Sequence, residues 1–187
     1  MEIRELNEAQ VRAIYANQMQ TDFPAAEIKP LSRIIKMMQQ QKYLCYGYFD
    51  ADALMAYAFF FCGENARLLD YLAVSAAVRG KGIGANFLNA LFALLDDQTL
   101  WVESEAVMPE DGAARADIKR RRIAFYARTG FVPTVAKARL FGVTYRVLAR
   151  NLPDDMDAVA ALQRFYRGMF PPVYYKTMVR VWEEDFS

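Results

Sequence analysis

A glycine-rich stretch between residues 67 and 96 constrains the fold of this chain more than any other part of the sequence. An apolar run at 68–74 leads through a short turn to glycines that alternate with Lys81 and Ile83, and an apolar-periodic segment follows at once. This order predicts a strand, a glycine loop and a helix. Glycine permits positive φ and lacks the Cβ atom that would keep a ligand from the backbone. Because a helix N-terminus directs unpaired N–H groups into such a loop, the stretch predicts an anion site, most plausibly for phosphate.

The spacing of Gly80, Gly82 and Gly84 discriminates between nucleotide-binding loops. A mononucleotide P-loop requires Ser or Thr after its lysine, whereas Gly82 follows Lys81. A dinucleotide fingerprint requires a further glycine that no frame of this loop supplies. The motif that remains is Arg79-x-x-Gly82-x-Gly84, which resembles the acyl-CoA pyrophosphate loop of the GNAT N-acetyltransferases.

Composition limits the general class of protein. A chain of 187 residues with 55% hydrophobic residues is expected to form one domain, with room for a small appendage. The net charge of +1 gives no general attraction to nucleic acid or to a membrane surface. The N-terminus is charged, and the longest apolar run, at 53–62, is about half a membrane span. These features predict a cytoplasmic protein with neither a nucleic-acid nor a membrane partner.

The absence of histidine restricts the chemistry. Ser-His and Cys-His nucleophile pairs and histidine metal sites are excluded, so acid–base chemistry must come from Asp, Glu, Tyr, Lys or Cys. Cys45 and Cys62 lie in separate apolar runs without C-x-x-C spacing, which predicts buried, reduced thiols rather than a disulfide or a zinc site. No metal is expected.

Periodicity and turn residues predict the order of the secondary-structure elements. Asn7 is expected to cap the first helix, which should end near Phe23-Pro24, and Gly130 is expected to follow the end of a later helix. The second helix should bury Leu31, Ile34, Ile35 and Met38. The predicted strands are 1–6, 43–50, 53–62, 68–74, 100–107, 132–141 and 144–151, and the predicted helices are one before Phe23, one from about 27–30, one after the glycine loop, 117–128 and about 154–168.

This order strengthens the resemblance to the GNAT family, as does Tyr126-x-x-x-Gly130-Phe131, which looks like the helix-ending element of that family. The resemblance covers residues 1–151. It implies an α/β (α+β) fold with a mixed, mostly antiparallel central sheet of about seven strands flanked by helices. Residues 152–187 are expected to add a C-terminal helix and an aromatic tail, from about 173 to 186, packed on the same domain.

The resemblance also implies a donor site. In this family the loop amides hold the pyrophosphate of acetyl-CoA, and the preceding strand hydrogen-bonds the pantetheine arm, which is chemically reasonable for a backbone nest and a strand edge. A tight turn without a ligand is the alternative. The matching residues of this chain are Leu72, Ala73, Val74, Arg79, Gly80, Lys81, Gly82, Ile83 and Gly84.

Catalytic roles are carried over in the same way. Tyr126 matches the tyrosine acid of the family, and a phenol of pKa near 10 is comparable with the thiol that it must protonate. Its alternative reading is a core tyrosine. Glu103, on the strand beside the cofactor strand, is the candidate base, directly or through water, and Glu105 shares its face and could substitute. Deprotonation by bulk water stays open.

One departure from the family pattern is Lys119, which stands where many members have Asn. The usual cofactor contact of that Asn is therefore in doubt. The cations at 119–122 could contact the 3′-phosphate of coenzyme A or an acidic acceptor, but a solvated helix face is the favoured reading.

The resemblance implies an acetyl-CoA-dependent N-acetyltransferase that acts on a primary amine, more readily that of a small molecule, by direct attack. The alternatives are a non-catalytic acyl-CoA-binding sensor or interaction module and a protein N-terminal or lysine acetyltransferase. The aromatic tail leaves open a homodimer interface. The acceptor site is expected near the first two helices, the strand hairpin and the C-terminal segment, with Tyr15, Asp22, Phe23, Tyr57, Phe59, Tyr174 and Tyr175 as candidate lining residues.

Overall fold

The computed structural model describes residues 1–184, and within this range the chain forms eight strands and seven α-helices. Residues 185–187, the end of the predicted aromatic tail, lie outside the described residues. The elements are β1 (Glu2–Glu5), α1 (Glu8–Ile14), α2 (Gln20–Asp22), α3 (Leu31–Gln39), β2 (Tyr43–Asp50), β3 (Ala53–Cys62), β4 (Ala66–Val74), α4 (Ile83–Phe92), β5 (Thr99–Glu105), α5 (Ala113–Arg128), β6 (Val132–Leu140), β7 (Val143–Arg150), α6 (Ala158–Met169), α7 (Pro172–Met178) and β8 (Val179–Glu183).

The described residues divide into two compact units, one of residues 1–62 and 69–95 and one of residues 63–68 and 96–184. The strand order is β1-β2-β3-β4 in the first unit and β5-β7-β6-β8 in the second. The registered pairs β1/β2, β2/β3, β5/β7, β6/β7 and β6/β8 are all antiparallel. The predicted mixed α/β class with mostly antiparallel pairing is therefore confirmed.

The described residues form eight strands, in line with the prediction of about seven and one more than the strand segments that the sequence predicts. The additional strand is β8, which pairs with β6 and places Val181 opposite Ala138. It lies in the segment that was predicted only as an aromatic tail. Val179 and Val181 lie on one face of β8 and are buried and half-buried, whereas Arg180 and Trp182 on the other face are exposed.

The first helical region of the first unit contains an irregularity. Asn7 caps α1 through a capping box with Gln10, as predicted. A π-helical turn at Tyr15–Met19 then separates α1 from α2. The helix ends at Asp22 because Phe23 precedes Pro24 and is extended, with φ −131° and ψ 149°. π-helical turns are rare and concentrate at functional sites.

The core of the first unit combines helices and strands. Phe87 of α4 is fully buried and stacks on Tyr48 of β2, with ring centroids 5.1 Å apart. On α3 the buried residues are Ile34, Ile35 and Met37, whereas Leu31 and Met38, which were predicted to be buried, are half-buried.

In the second unit α5 packs on β5 and β6, and α6 packs on β6 and β8. Gly130, at φ +90°, ends α5 in a Schellman motif: Phe131 N–H donates to Tyr126 O at 3.1 Å and Gly130 N–H donates to Ala127 O at 3.2 Å. The prediction for Gly130 is confirmed. Among residues 1–184, no helix combines the length and apolarity that a membrane span requires.

Candidate active site

The glycine loop begins where β4 ends. A 3₁₀ turn at Ala76–Val78 leads into the loop, and Gly80 and Gly82 both adopt φ +77°. A Cβ atom added at either glycine would meet no heavy atom within 4 Å. Gly82 caps α4 and accepts a hydrogen bond from Asn86 N–H at 3.0 Å. The backbone of the loop is therefore uncovered, and the first amides of α4 have no acceptor within their own helix.

Gly84 differs from the other two glycines. It lies inside the first turn of α4, is buried and is not at positive φ. The predicted need for positive φ therefore applies to Gly80 and Gly82 and not to Gly84. The strand residues before the loop also differ in exposure, since Ala73 is buried whereas Leu72 and Val74 are half-buried.

Arg79 connects the loop to α2. Its Nη2 donates to Asp22 Oδ1 at 2.8 Å, and its Nε donates to Val74 O at 2.9 Å. Asp22 Oδ2 accepts a hydrogen bond from the Tyr57 hydroxyl at 3.0 Å. Burial, reinforced by the charge of Asp22, raises the pKa of Tyr57, which keeps this phenol a proton donor.

A cavity of about 180 Å³, here called the Asp22 cavity, lies beside this ion pair in the first unit. Polar groups from α2 and the π-helical turn meet apolar groups from β3 there. Gln18 Oε1 is buried and has no hydrogen-bond partner among the described residues. The lining residues are Asn17, Gln18, Thr21, Asp22, Leu54, Met55, Ala56, Tyr57, Ser75 and Ala76.

Glu103 lies on β5 of the second unit, opposite Val147 of β7. It is half-buried, and Oε1 accepts a hydrogen bond from the hydroxyl of Tyr166 on α6. The Tyr166 side chain is fully buried and its ring packs edge-on against Phe170. A residue of the C-terminal segment therefore orients the candidate base.

Glu105, two residues further along β5, has different partners. Lys119 Nζ lies 3.2 Å from Glu105 Oε2, and Arg115 Nη2 lies 3.3 Å from it. Lys119 Nζ also donates to Ala106 O at 3.0 Å and to Asp111 Oδ2 at 2.8 Å. Glu105 thus serves as a counter-charge in an ion-pair cluster.

The prediction that residues 119–122 form a solvated helix face is wrong for Lys119, which is buried in this cluster. The side chains of Lys119 and Asp111 are 7% and 3% exposed. The solvated-face reading holds for residues 120–122, which are exposed. Hydrogen bonding to Lys119, more than any other contact, holds the pKa of Asp111 below its usual value.

Tyr126 is 8% exposed near the end of α5, between the rings of Phe125 and Phe131. Burial raises its pKa to about 12, against a weaker opposing effect of Arg122. The expected match with the pKa of a thiol therefore does not hold. The phenol is better suited to donating a hydrogen bond to sulfur than to releasing its proton readily.

The loop residues, Leu72–Val74 and Asp22 belong to the first unit, and Glu103, Glu105 and Tyr126 belong to the second. Sequence reasoning missed Tyr166, Asp111 and Gln18 as members of these clusters. Their contacts join elements distant in sequence, or a loop with a helix, and no local motif marks them. Asp22 and Tyr57 were named as lining candidates, and the Asp22 cavity contains both.

The described residues also bear on metal and thiol sites. Within residues 1–184, no group of three or more His, Cys, Asp or Glu side chains is arranged to hold a metal ion. Cys45 is buried, and burial raises the pKa of its thiol. Cys62 is only half-buried, contrary to the prediction that both thiols are buried.

Solved structures identify the fold. A putative acetyltransferase of the GNAT family from Bacteroides thetaiotaomicron aligns over 94% of this chain and 99% of its own, with a TM-score of 0.71 and 18% identity. This chain has the GNAT fold. No family model and no curated protein matches the sequence.

Two further GNAT-fold neighbours have named substrates. The ribosomal-protein-S18-alanine N-acetyltransferase of Escherichia coli is 19% identical over 83% of this chain and 98% of its own, with a TM-score of 0.58. An aminoglycoside 6′-N-acetyltransferase complexed with coenzyme A is 12% identical over 83% of this chain and 100% of its own, with a TM-score of 0.57. One neighbour therefore acts on a protein and the other on a small molecule.

Proposed function

We propose that this protein is an N-acetyltransferase that moves the acetyl group of acetyl-CoA to a primary amine by direct attack. The main support for this proposal is the glycine loop immediately before α4. Gly80 and Gly82 both adopt positive φ there, and no heavy atom lies within 4 Å of the position that a Cβ would take at either residue. A bare loop before a helix N-terminus favours a phosphate-type anion. The GNAT fold supports the interpretation that this anion is the pyrophosphate of acetyl-CoA.

The donor is bound mainly by backbone in this proposal. The amides of residues 80–84 bind the pyrophosphate, and Arg79 and Lys81 add positive charge at the same loop. The backbone of Leu72–Val74, in the last strand of the first unit, hydrogen-bonds the pantetheine arm. The thioester supplies an activated acetyl carbonyl. The residues present therefore fit coenzyme A.

The reaction forms a C–N bond and breaks the C–S bond of the thioester. Glu103 removes a proton from the attacking ammonium group, directly or through water, and Tyr166 holds Glu103 in orientation. Tyr126 donates a hydrogen bond to the departing sulfur, which leaves as a thiolate and takes up the second proton of the amine nitrogen through solvent. Glu105 is less suited to act as a base because Lys119 and Arg115 already compensate its charge.

We further propose that the acceptor is a small molecule, because the Asp22 cavity has room for a small polar head group. Residues 1–151 are proposed as the acetyltransferase domain, with residues 152–187 as an extension of it. The reduced Cys45 is consistent with the reducing cytoplasm, which we propose as the location.

A thiol-release assay with acetyl-CoA and a panel of small amines, alanine-initiated peptides and lysine peptides tests the function. We expect release of coenzyme A with at least one small amine and its loss in Glu103→Gln. Calorimetry with coenzyme A is the parallel measurement. Tight binding without release for any acceptor would instead support an acyl-CoA-binding module.

A further inference from the structure

The Asp22 cavity has an electrostatic character that the acetyl-transfer proposal does not use. Among the described residues that line it, Asp22 alone carries a formal charge. The Asp22 side chain is 12% exposed, so water screens its charge only partly. Such a carboxylate favours a cationic ligand.

We propose that the Asp22 cavity binds the ammonium group of a small hydroxylated amine, with Asp22 as the counter-charge. This inference rests on the proposed function, since the ligand is the acceptor of the acetyl group. It adds a substrate class and a recognition site to that function.

Hydrogen-bonding capacity supports an ammonium ligand. An ammonium group offers three donors and no acceptor. A carboxylate has about four lone-pair sites, and Arg79 and Tyr57 use one each. Both oxygens of Asp22 therefore retain capacity for a ligand.

The size and lining of the cavity favour a small polar amine. A volume of about 180 Å³ corresponds to about six water molecules at their liquid volume. Asn17, Thr21 and Ser75 add an amide and two hydroxyl groups to the lining. These groups suit an amine that also carries hydroxyl groups. The π-helical turn contributes Asn17 and Gln18 to this lining.

Arg79 links this cavity to the glycine loop. Its side chain is 57% exposed and holds Asp22 Oδ1 at 2.8 Å, so it partly compensates the charge that an ammonium ligand would sense. Removing Arg79 should therefore strengthen binding of a cation, whereas removing the charge of Asp22 should weaken it. A carboxylate that serves only to anchor Arg79 predicts neither change.

The test is an NMR titration of the full chain, without acetyl-CoA, using 2-amino-1,3-propanediol and glycerol. The two probes differ by an amino group in place of one hydroxyl group. We expect the aminodiol to shift amide signals of residues 17–22 and to bind about tenfold more tightly than glycerol. Asp22→Asn should abolish this preference, and Arg79→Gln should raise the affinity for the aminodiol about threefold.

Equal affinity for the two probes, no binding of the aminodiol, a preference retained in Asp22→Asn, or weaker binding in Arg79→Gln would each overturn the inference. Misfolding cannot produce the expected pattern, because the two variants move the affinity in opposite directions. The titration reports binding in the absence of the donor. Its outcome is therefore separate from that of the thiol-release assay.

Discussion

The glycine loop and the carboxylates of β5 depend on different parts of the sequence. In the loop the functional groups are backbone amides, and Gly80 and Gly82 determine their positions locally. On β5, Glu103 depends on Tyr166, 63 residues later, and Glu105 depends on Lys119 of α5. Two carboxylates that share one face of a strand thereby acquire different properties. The comparison shows that a backbone site can be identified from a motif, whereas side-chain roles depend on tertiary partners.

The sharpest contrast is expected between Glu103 and Glu105. Glu103→Gln should lower kcat about 100-fold, because general base catalysis is typically worth that much. Glu105→Gln should lower kcat less than about tenfold, since this carboxylate is paired with Lys119 and Arg115. Steady-state kinetics with the best amine of the panel measures both. A larger loss for Glu105→Gln would reverse the assignment.

The next effect concerns the loop. Gly82→Ala should weaken coenzyme A binding at least about tenfold, because an L side chain disfavours φ +77° and the added Cβ projects into the uncovered loop. Gly142→Ala is a matched control, since Gly142 has φ +92° and also meets no atom within 4 Å. Calorimetry should show normal binding for the control. Equal losses in both variants would indicate a general effect of strain.

Tyr126→Phe should lower kcat by several-fold and leave KM nearly unchanged, since the phenol is proposed to contact only the departing sulfur. Because the pKa of Tyr126 is raised to about 12, the phenol stays protonated throughout the usual assay range. In the wild-type enzyme, ionisation of Tyr126 should therefore cause no decrease in kcat up to about pH 10. A decrease in kcat at alkaline pH that is present in wild type and absent from Tyr126→Phe would contradict this.

The smallest effect is on stability. Lys119→Met should lower Tm by about 5 °C, because Lys119 is a buried cation whose loss leaves its anionic partners uncompensated. Arg121→Met, which removes an exposed pair with Asp117, should change Tm by less than about 1 °C. Calorimetric melting measures both variants.

The stabilisation by the ion pair of Lys119 and Asp111 should depend on pH. The pKa of Asp111 is lowered in the folded state, so its stabilisation is present above the unfolded value near 4 and is lost as pH falls through the folded value. The Tm difference between wild type and Lys119→Met should therefore be largest near neutral pH and shrink below about pH 4. A difference that grows with acidity would contradict the role of Asp111.

Features set by local sequence were predictable. The Asn7 cap, the break at Phe23-Pro24 and the Schellman motif at Gly130 each follow from the properties of a few adjacent residues. The glycine loop belongs with them. In these cases the preferred backbone geometry is the same in most tertiary contexts.

Features that depend on distant partners were not predictable. In the sequence Lys119 is one of four consecutive cations, and nothing distinguishes it from the other three. Its burial depends on the ion pair with Asp111, which lies in the loop before α5. β8 pairs with β6, which is distant in sequence, and no local motif marks this pairing. The π-helical turn leaves no motif in the sequence, although it helps to form the Asp22 cavity.

The central claim is that the glycine loop binds the pyrophosphate of an acyl-CoA. Calorimetric titration of the wild-type protein with coenzyme A and with pantetheine, which lacks the pyrophosphate and the nucleotide, tests it most directly. We expect coenzyme A to bind at least about 100-fold more tightly than pantetheine, since the loop amides and cations contact only the pyrophosphate of coenzyme A. Equal affinity for the two compounds, or no binding of coenzyme A, would contradict it.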